Sequence, residues 1–309
     1  MNVHQQQTPR RVLFCGSGWL PIVEHIAVRL GEDTSITTWD RAQPLVDAVR
    51  EVDILLPSNA EITAEVIAAA KRLVLIQQPA AGTERIAIEA ARACGIPVCN
   101  APGTNHISVA EHALFLLLSL ARRAPVAARA FAAREVGVPL GIELAGRTLG
   151  IIGMGRSGTA FANRARALGM TIRALGRGAS AAERLEFFGG CDAISIHCPL
   201  DDATRGLVDA AAFAAMRPGT FLVNVSRGGV IDRSALVAAL ASDRLGGVAL
   251  DVHWHEPPDP NDPLYLDPRV VAYPHVAGST EEAFGRIVDV VIANIERVGR
   301  GEALLHRVA

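Results

Sequence analysis

The stretch Thr148–Met170, TLGIIGMGRSGTAFANRARALGM, joins a short apolar run, a glycine-rich turn and an alanine-rich helical pattern. In this Gly-x-Gly-x-x-Gly order, Gly153 allows a tight turn and Gly155 lets the backbone approach a pyrophosphate, while Gly158 lets the helix pack closely on the strand. The first amides of such a helix point towards an anion. The stretch therefore predicts a strand, a turn and a helix that bind a dinucleotide.

The same alternation of short apolar runs and longer helical patterns extends over most of the chain, which is typical of parallel α/β sheets. Eleven strands are predicted in two groups, at RVLFCG, SITTWD, VDILLP, RLVLIQQ and IPVCN, and then at TLGIIGMG, TIRALG, AISIHCP, TFLVNVS, GGVALDV and VVAYPHV. Between the groups, NAPGTNHISVAEHALFLLLSLARRAPVAARA predicts a turn and one long apolar helix at a domain boundary. The pattern predicts an α/β protein with two doubly wound parallel-sheet domains of the Rossmann or flavodoxin type.

Composition excludes several other classes of protein. With 309 residues, 50% of them hydrophobic, and a net charge of −2, the chain is long enough for two buried cores and has no basic stripe for nucleic acid. The apolar run HALFLLLSLA is about half the length of a membrane span. We therefore expect no membrane partner. Lys71 is the only lysine, which excludes a P-loop. Five cysteines without a CxxC motif predict reduced thiols in a cytoplasmic protein.

The second strand of the nucleotide-binding half ends in Gly176 and Arg177 instead of the acidic residue that would accept hydrogen bonds from the ribose of NAD. An acid would repel the 2′-phosphate of NADP, which needs space and a cation. Gly176 supplies the space and Arg177 the cation, so we expect NADP(H) to be preferred over NAD(H). A solvated loop arginine is the alternative.

Three further strand ends, in NVSRGGVID, LDVHWHEPPDP and YPHVAGST, carry Arg227, Asp251, Glu256 and His275. Ligands of doubly wound sheets bind at the carboxyl ends of strands, where an arginine can pair with a carboxylate and a histidine beside a carboxylate can act as an acid or base. These residues predict hydride transfer to or from a carboxylate-bearing alcohol or ketone. The H-x-H pair in HWHE suggests a metal site, but Pro257-Pro258 ends the strand, and we expect no metal.

Six stretches of the chain resemble the motifs of one known family: NAPGTNHISVAEHALFLLL, GRTLGIIGMGRSG, CDAISIHCPLDDATRGLV, MRPGTFLVNVSRGGVID, ALVAALASDRLGGVALDV and EPPDPNDPLYLDPRVVAYPHVAGST. The resemblance is strong and is to the D-isomer-specific 2-hydroxyacid dehydrogenases, whose motifs occur in the same order. The likeness covers most of the chain and is of the glyoxylate/hydroxypyruvate reductase type. It implies a substrate domain of residues 1–100 plus 278–309, with a dinucleotide-binding domain of residues 101–277 inserted between them. It also implies a homodimer that the long helix helps to build.

The resemblance implies a role for each matching residue. Arg227 would bind the carboxylate and carbonyl oxygen of the substrate, His275 would be the acid or base, and Glu256 would hold and charge His275. Backbone N–H groups of Ala81 and Gly82 would bind the substrate carboxylate. The expected cofactor contacts are Gly153, Gly155, Arg156, Ser157, Gly158, Gly176, Arg177, His197, Cys198, Pro199, Thr204, Val225, Ser226, Asp251 (to the nicotinamide carboxamide) and Gly278.

Two functions from different classes remain open. One is an enzyme that reduces a small 2-ketoacid, such as glyoxylate or hydroxypyruvate, to the D-2-hydroxyacid. The other is a dinucleotide-sensing, corepressor-like binding protein on the same scaffold. A formate-dehydrogenase-like enzyme is disfavoured, because Glu256 stands where that branch has Gln.

Overall fold

The structure, a computed structural model, describes residues 10–309 and divides into two units. The first unit contains the chain up to Asn105 and also Ser279–Ala309, and the second is His106–Gly278. Each unit is built on one parallel sheet with helices, so the predicted fold class is confirmed. The assignment of one unit to substrate and of the other to nucleotide stays a prediction.

The first unit begins with five strands that alternate with four helices. The strands are β1 Arg10–Phe14, β2 Thr34–Thr38, β3 Ile54–Leu56, β4 Leu75–Gln77 and β5 Val98–Cys99. The helices are α1 Pro21–Ala27, α2 Leu45–Ala48, α3 Ala64–Ala69 and α4 Ile88–Ala93. The sheet order is β2-β1-β3-β4-β5, so the direction of winding reverses at β1.

The second unit continues this alternation with six strands. They are β6 Thr148–Ile152, β7 Thr171–Leu175, β8 Ala193–Ile196, β9 Thr220–Asn224, β10 Leu245–Leu250 and β11 Val270–Ala272. Its helices are α5 His106–Ala121, α6 Ala124–Ala132, α7 Arg156–Ala167, α8 Ala181–Gly189, α9 Ala210–Ala215, α10 Arg233–Ala241 and α11 Pro263–Leu266. The sheet order is β11-β10-β9-β8-β6-β7. Each of the eleven predicted strand segments overlaps one of the strands β1 to β11.

The chain then returns to the first unit as α12, Glu281–Arg300. Thr280 caps this helix by accepting a hydrogen bond from the Ala283 N–H. Its apolar face, with Ile287, Val291 and Ile295, is buried with side chains of β1 and β3 in one core. Burying this face against a sheet is what stabilises a helix of amphipathic sequence.

The sheet of the second unit is covered by helices on both faces, which explains why its strands are almost continuously apolar. Alternate side chains of one strand enter different cores: Val223 of β9 packs in the core that contains α5 and α7, and Leu222 packs in the core that contains α8, α9 and α10. Both side chains are fully buried. Both faces of this sheet are therefore filled by the protein's own side chains.

The predicted single long helix at the domain boundary is in fact two helices. The chain breaks between α5 and α6, where Arg123 has a φ of +51° and Pro125 stands in the first turn of α6. A proline lacks the N–H that a continuing helix needs and is tolerated at a helix start, so it begins a new helix here. Among the helices of residues 10–309, none combines the length and apolar character needed to cross a bilayer.

Candidate active site

The glycine-rich turn after β6 requires glycine at its first position. Gly153 has a φ of +95°, and a Cβ built there would lie 2.6 Å from the Cys198 backbone nitrogen. A Cβ on Gly158 would overlap the Gly153 carbonyl oxygen. The two glycines therefore allow β6, the first turn of α7 and the chain after β8 to lie in close contact.

The second glycine of the motif lies beside open space. Apart from the adjoining chain, no protein atom is within 4 Å of a Cβ built on Gly155, which is the N-cap residue of α7. No side chain caps this helix, and Arg156 at its first position is exposed. An uncapped helix start with space in front of it suits a phosphate group, so the residues present here fit the pyrophosphate of a dinucleotide.

His197, directly after β8, connects that strand to the first turn of α7. Its Nε2 atom lies 3.0 Å from Ser195 Oγ and its Nδ1 atom lies 3.2 Å from Ser157 Oγ. Burial lowers the pKa of His197 to about 4, so the imidazole is neutral at pH 7. A neutral ring with both nitrogens engaged holds Ser157 in position without adding charge to the start of α7.

Hydrogen bonds order the loop that follows His197. The hydroxyl of Thr204 lies 2.7 Å from the Pro199 carbonyl oxygen, and the Ser226 hydroxyl after β9 donates to the carbonyl of Cys198. Burial raises the pKa of the Cys198 thiol to about 11, so it stays protonated. The adjacent Val225 side chain is buried in the core, which fixes the backbone between β9 and Ser226.

After β7, Gly176 is exposed, and apart from the adjoining chain no protein atom is within 4 Å of a Cβ built on it. Arg177 is 69% exposed in its side chain and makes an ion pair, with its Nη2 atom 2.8 Å from Asp201 Oδ2. The sequence suggested either a phosphate ligand or a solvated arginine. The structure adds an acidic partner from the loop after β8, which sequence reasoning missed.

His275 and Glu256 form a direct pair. His275 follows β11 in a left-handed backbone conformation, with a φ of +57°, and its Nδ1 atom lies 2.9 Å from Glu256 Oε2. Glu256 Oε1 also accepts a hydrogen bond from the His253 N–H at 3.2 Å. Burial acts to raise the pKa of the Glu256 carboxyl, but the hydrogen bonds and charge of His275 outweigh it and hold that pKa below its ordinary value. The pair is therefore a carboxylate bonded to an imidazole N–H.

Asp251, directly after β10, holds the backbone that follows His275. Its fully buried carboxylate accepts the N–H of Val276 at Oδ1 and the N–H of Ala277 at Oδ2, both at 2.9 Å. The Nε2 atom of His112 in α5 lies 3.3 Å from Oδ1, without the alignment of a hydrogen bond. Burial acts to raise the pKa of Asp251, whereas His112 and the two amides lower it more, and the net shift is downward.

The role of His112 was not predicted from the sequence. The available signal was a titratable residue in the otherwise apolar run HALFLLL of α5. The histidine alone could not indicate its partner, because Asp251 lies 139 positions further along the chain. Gly278, the last residue of the second unit, follows the segment that Asp251 holds.

Arg227 follows β9 in an extended conformation, with a φ of −146°, at the start of a 3₁₀ turn at Gly228–Val230. Its guanidinium donates from Nη1 to the Ser226 carbonyl at 2.8 Å, and its own carbonyl accepts from Asn224 Nδ2 at 2.9 Å. A Cβ on Gly228 would overlap the backbone of His253. The backbone around Arg227 is therefore fixed by the close approach of the chain after β10.

Ala81 and Gly82 belong to the first unit, in the loop after β4. Gln78 donates from Nε2 to the carbonyls of Gly82 and Ser58, each at 2.9 Å, and Asn100 donates from Nδ2 to the Ala81 carbonyl at 2.7 Å. Neither amide side chain was singled out from the sequence. These bonds use the carbonyl groups of the loop and hold its main chain in one conformation.

The two histidines of the H-x-H motif have different surroundings. His253 is buried, with Nδ1 2.8 Å from the Tyr265 hydroxyl and Nε2 2.8 Å from the Tyr273 carbonyl oxygen, so both ring nitrogens are engaged within the protein. His255 is exposed. In the part of the chain that the structure describes, no three His, Cys, Asp or Glu side chains are grouped as metal ligands would be.

Each strand of the second unit is followed within three residues by a predicted site residue. These residues are Gly153 after β6, Gly176 and Arg177 after β7, His197 after β8, Val225, Ser226 and Arg227 after β9, Asp251 after β10 and His275 after β11. Because the strands are all parallel, these residues share the carboxyl edge of one sheet. This edge combines an anion-binding turn, a histidine–carboxylate pair and an arginine.

The chain is similar to one described protein family and to curated proteins. The family described as D-isomer specific 2-hydroxyacid dehydrogenase, NAD binding domain, matches residues 114–277. D-3-phosphoglycerate dehydrogenase of Archaeoglobus fulgidus is 37% identical over 285 residues, which are 88% of this chain and 54% of that protein. The enzyme of the same name from Methanocaldococcus jannaschii is 36% identical over 87% of this chain and 54% of its own length. The chain therefore spans about half the length of these curated relatives.

Solved structures show the same architecture over almost the whole chain. A protein from Thermus thermophilus superposes with a TM-score of 0.86 at 31% identity, covering 97% of this chain and 100% of that one. The NAD-dependent formate dehydrogenase of Staphylococcus aureus, solved in complex with NAD, superposes with a TM-score of 0.84 at 27% identity, over 97% of this chain and 99% of that one.

Proposed function

The chain belongs to the D-isomer-specific 2-hydroxyacid dehydrogenases, and we propose that it reduces a small 2-ketoacid to the D-2-hydroxyacid, with NADPH preferred over NADH. The observation that carries this proposal is the bonded pair of Glu256 and His275 in the same unit, and at the same sheet edge, as an uncapped glycine-rich helix start.

The residues of the second unit divide the chemistry between them. When bound, a reduced nicotinamide supplies the hydride that the carbonyl carbon receives. Glu256 orients the imidazole through Nδ1, so that Nε2 of His275 donates the proton that converts the carbonyl oxygen to a hydroxyl. Arg227 pairs with the substrate carboxylate and so fixes the neighbouring carbonyl for reaction. In the first unit, the backbone N–H groups of Ala81 and Gly82 are proposed to bind a substrate carboxylate.

The cofactor preference rests on the end of β7. Gly176 provides open space and Arg177 a largely exposed guanidinium at the position where a ribose-binding acid would exclude a 2′-phosphate. A charge-assisted hydrogen bond from Arg177 would contribute about 1.5 to 3 kcal/mol. Arg177→Ala should therefore weaken NADPH binding far more than NADH binding.

A small substrate is proposed because the loop residues expected to contact it, Ala81 and Gly82, offer no side chain that would pair with a second charge. The names of the relatives support a second candidate, oxidation of D-3-phosphoglycerate, a hydroxyacid that carries a phosphate. The two candidates share the hydride-transfer chemistry and differ in what the site must accommodate at the far end of the substrate.

One panel of steady-state assays tests these proposals. Glyoxylate, hydroxypyruvate and pyruvate are each assayed with NADPH and with NADH, and D-3-phosphoglycerate is assayed with both oxidised cofactors. We expect the highest kcat/KM for a small 2-ketoacid with NADPH. A higher value for D-3-phosphoglycerate would favour the second candidate, and NADPH binding without turnover of any substrate would favour the dinucleotide-sensing, corepressor-like alternative.

The proposal includes a homodimer in the cytoplasm. The segment at and after α6 exposes three large apolar side chains, Phe131 (85%), Val136 (96%) and Leu140 (84%). Subunit interfaces commonly cover an apolar surface of this kind. Four of the five free thiols are buried and Cys94 is exposed, which suits a reducing compartment. Light scattering of the full chain at micromolar concentration tests the dimer, and a monomeric mass would exclude it.

A further inference from the structure

The ion pair between Arg177 and Asp201 joins two loops on either side of the glycine-rich turn. Arg177 follows β7 and Asp201 lies in the loop after β8, and these two strands flank β6 in the sheet. The two side chains meet at 2.8 Å between Nη2 and Oδ2. The pair therefore lies where the second unit offers a cation to the ribose end of a dinucleotide.

The two oxygens of Asp201 have different partners. Oδ1 accepts hydrogen bonds from the Ala203 N–H at 3.0 Å and the Thr204 N–H at 3.1 Å, which fixes the carboxylate on its own loop. Oδ2 bonds to Arg177. The hydrogen bond from Arg177 is the largest cause of the lowered pKa of Asp201, so the carboxyl is ionised at neutral pH.

The side chains of Arg177 and Asp201 also differ in how freely they can move. The Arg177 side chain is 69% exposed, and surface ion pairs of this kind are weak enough for an arginine to exchange partners. Asp201 is 35% exposed and bonded to two backbone amides, so its negative charge stays in position when the arginine moves.

We propose that Asp201 is a specificity-determining residue, which limits the preference for NADPH by competing with the 2′-phosphate for Arg177. This inference rests on the proposed function, because it takes Arg177 as the ligand of that phosphate. A 2′-phosphate must draw the guanidinium from Asp201 and then remain near a fixed carboxylate of like charge. A ribose hydroxyl meets no such repulsion, and Asp201 Oδ2 can accept its hydrogen bond.

The variant Asp201→Asn separates the two roles of this side chain. Asparagine keeps an Oδ1 acceptor for the two loop amides and replaces the charged Oδ2 by an N–H₂ group. Asp201→Thr is a second neutral variant, whose hydroxyl can accept from the same amides. Asp202→Asn is the matched control, because it removes one exposed negative charge from the adjacent position.

Titration calorimetry of the full chain with 2′,5′-ADP and with 5′-AMP measures the effect of the 2′-phosphate without turnover. We expect Asp201→Asn to tighten 2′,5′-ADP binding by about threefold to tenfold, as removal of one like charge at an exposed site predicts. Binding of 5′-AMP should change by less than about twofold, and the gain should shrink as salt is added. Asp202→Asn should leave the ratio of the two affinities nearly unchanged.

Two further variants separate failure of this inference from failure of the cofactor proposal. If Arg177→Ala weakens 2′,5′-ADP in the wild type but both Asp201 variants leave it unchanged, the cofactor proposal stands and the competition by Asp201 is wrong. If the wild type shows no preference for NADPH but Asp201→Asn creates one that is lost in the Arg177→Ala double variant, the inference stands and the proposed preference is wrong. An equal gain in Asp202→Asn would overturn the inference, because it would reflect net charge alone.

Discussion

Glu256 holds His275 through the Nδ1 atom of its ring, 2.9 Å from Oε2 and 3.1 Å from Oε1. Asp251 holds the backbone directly after this residue, because it accepts hydrogen bonds from the N–H groups of Val276 and Ala277. The imidazole is thus oriented by one carboxylate and its left-handed backbone is kept in place by another. Such dual support is what a general acid needs if its proton is to meet one atom of the substrate.

Replacing His275 by Gln should remove general acid catalysis. Turnover of the 2-ketoacid should fall by roughly a hundredfold to ten-thousandfold, while the dissociation constant of NADPH changes little. The control is His255→Gln, which removes an exposed histidine one position from Glu256. Stopped-flow turnover together with equilibrium NADPH binding measures both quantities, and retained turnover in His275→Gln would exclude this residue as the acid.

Replacing Glu256 by Gln should shift the pH dependence of reduction to lower pH. His275 helps to hold the pKa of the Glu256 carboxyl below its ordinary value, and this attraction between the carboxylate and a cationic ring is lost when the partner is a neutral amide. The fall in kcat/KM should therefore begin at a lower pH than in the wild type. The profile is recorded between pH 5 and pH 10, and a midpoint equal to that of the wild type would remove Glu256 from the mechanism.

The substrate carboxylate should be required for turnover. Pyruvate and acetone, or phenylpyruvate and phenylacetone, differ in the group that Arg227 would bind, and the ketone without the carboxylate should react at least about a thousandfold less well. Arg227→Lys should lose most of this discrimination, because an ammonium lacks the planar fork that pairs with a carboxylate. Comparable kcat/KM values within a pair would show that Arg227 does not select for this group.

Replacing Asp251 by Asn should destabilise the second unit and impair turnover together. Asparagine can accept from only one of the two amides, and its N–H₂ group would face the other. The free energy of unfolding should fall by about 1 to 3 kcal/mol, with kcat lowered because the backbone after His275 is no longer fixed. Urea denaturation and steady-state kinetics measure the two effects, and Asp202→Asn serves as the control. Unchanged stability would mean that the buried carboxylate is not needed for this loop.

The protein should lose stability as the pH falls from about 6.5, the ordinary pKa of histidine, to about 4, the lowered pKa of His197. In this window the unfolded chain binds a proton at His197 that the folded chain excludes. The contribution of His197 to the free energy of unfolding is therefore complete above the window and is lost as the pH passes down through it. The loss should reach about 2 to 3 kcal/mol. Denaturation curves of the wild type and of His197→Asn, recorded at several pH values, isolate this contribution. Parallel curves for the two proteins would contradict it.

The sequence by itself determined the local structure and the position of the chemical groups along the chain. Short, mostly apolar runs predicted the strands, because a strand covered on both faces is apolar along most of its length. The glycine spacing predicted the turn after β6, because a positive φ at Gly153 and the close contact at Gly158 each exclude a side chain. Parallel winding then predicted that Arg227, Asp251 and His275 would lie at one sheet edge.

Only the tertiary structure decided which of these groups are partners. Sequence periodicity indicates the backbone conformation of a segment and which of its side chains are buried. The partner of a residue at a strand end depends instead on the order of the strands in the sheet. β10 lies beside β11, so Asp251 binds the backbone 25 residues further on, and β8 lies beside β6, so His197 reaches Ser157. Arg177 and Asp201 meet for the same reason, across 24 residues and from the two strands that flank β6. The sequence could name the arginine, but the acid that opposes it became visible only when the sheet brought the two loops together.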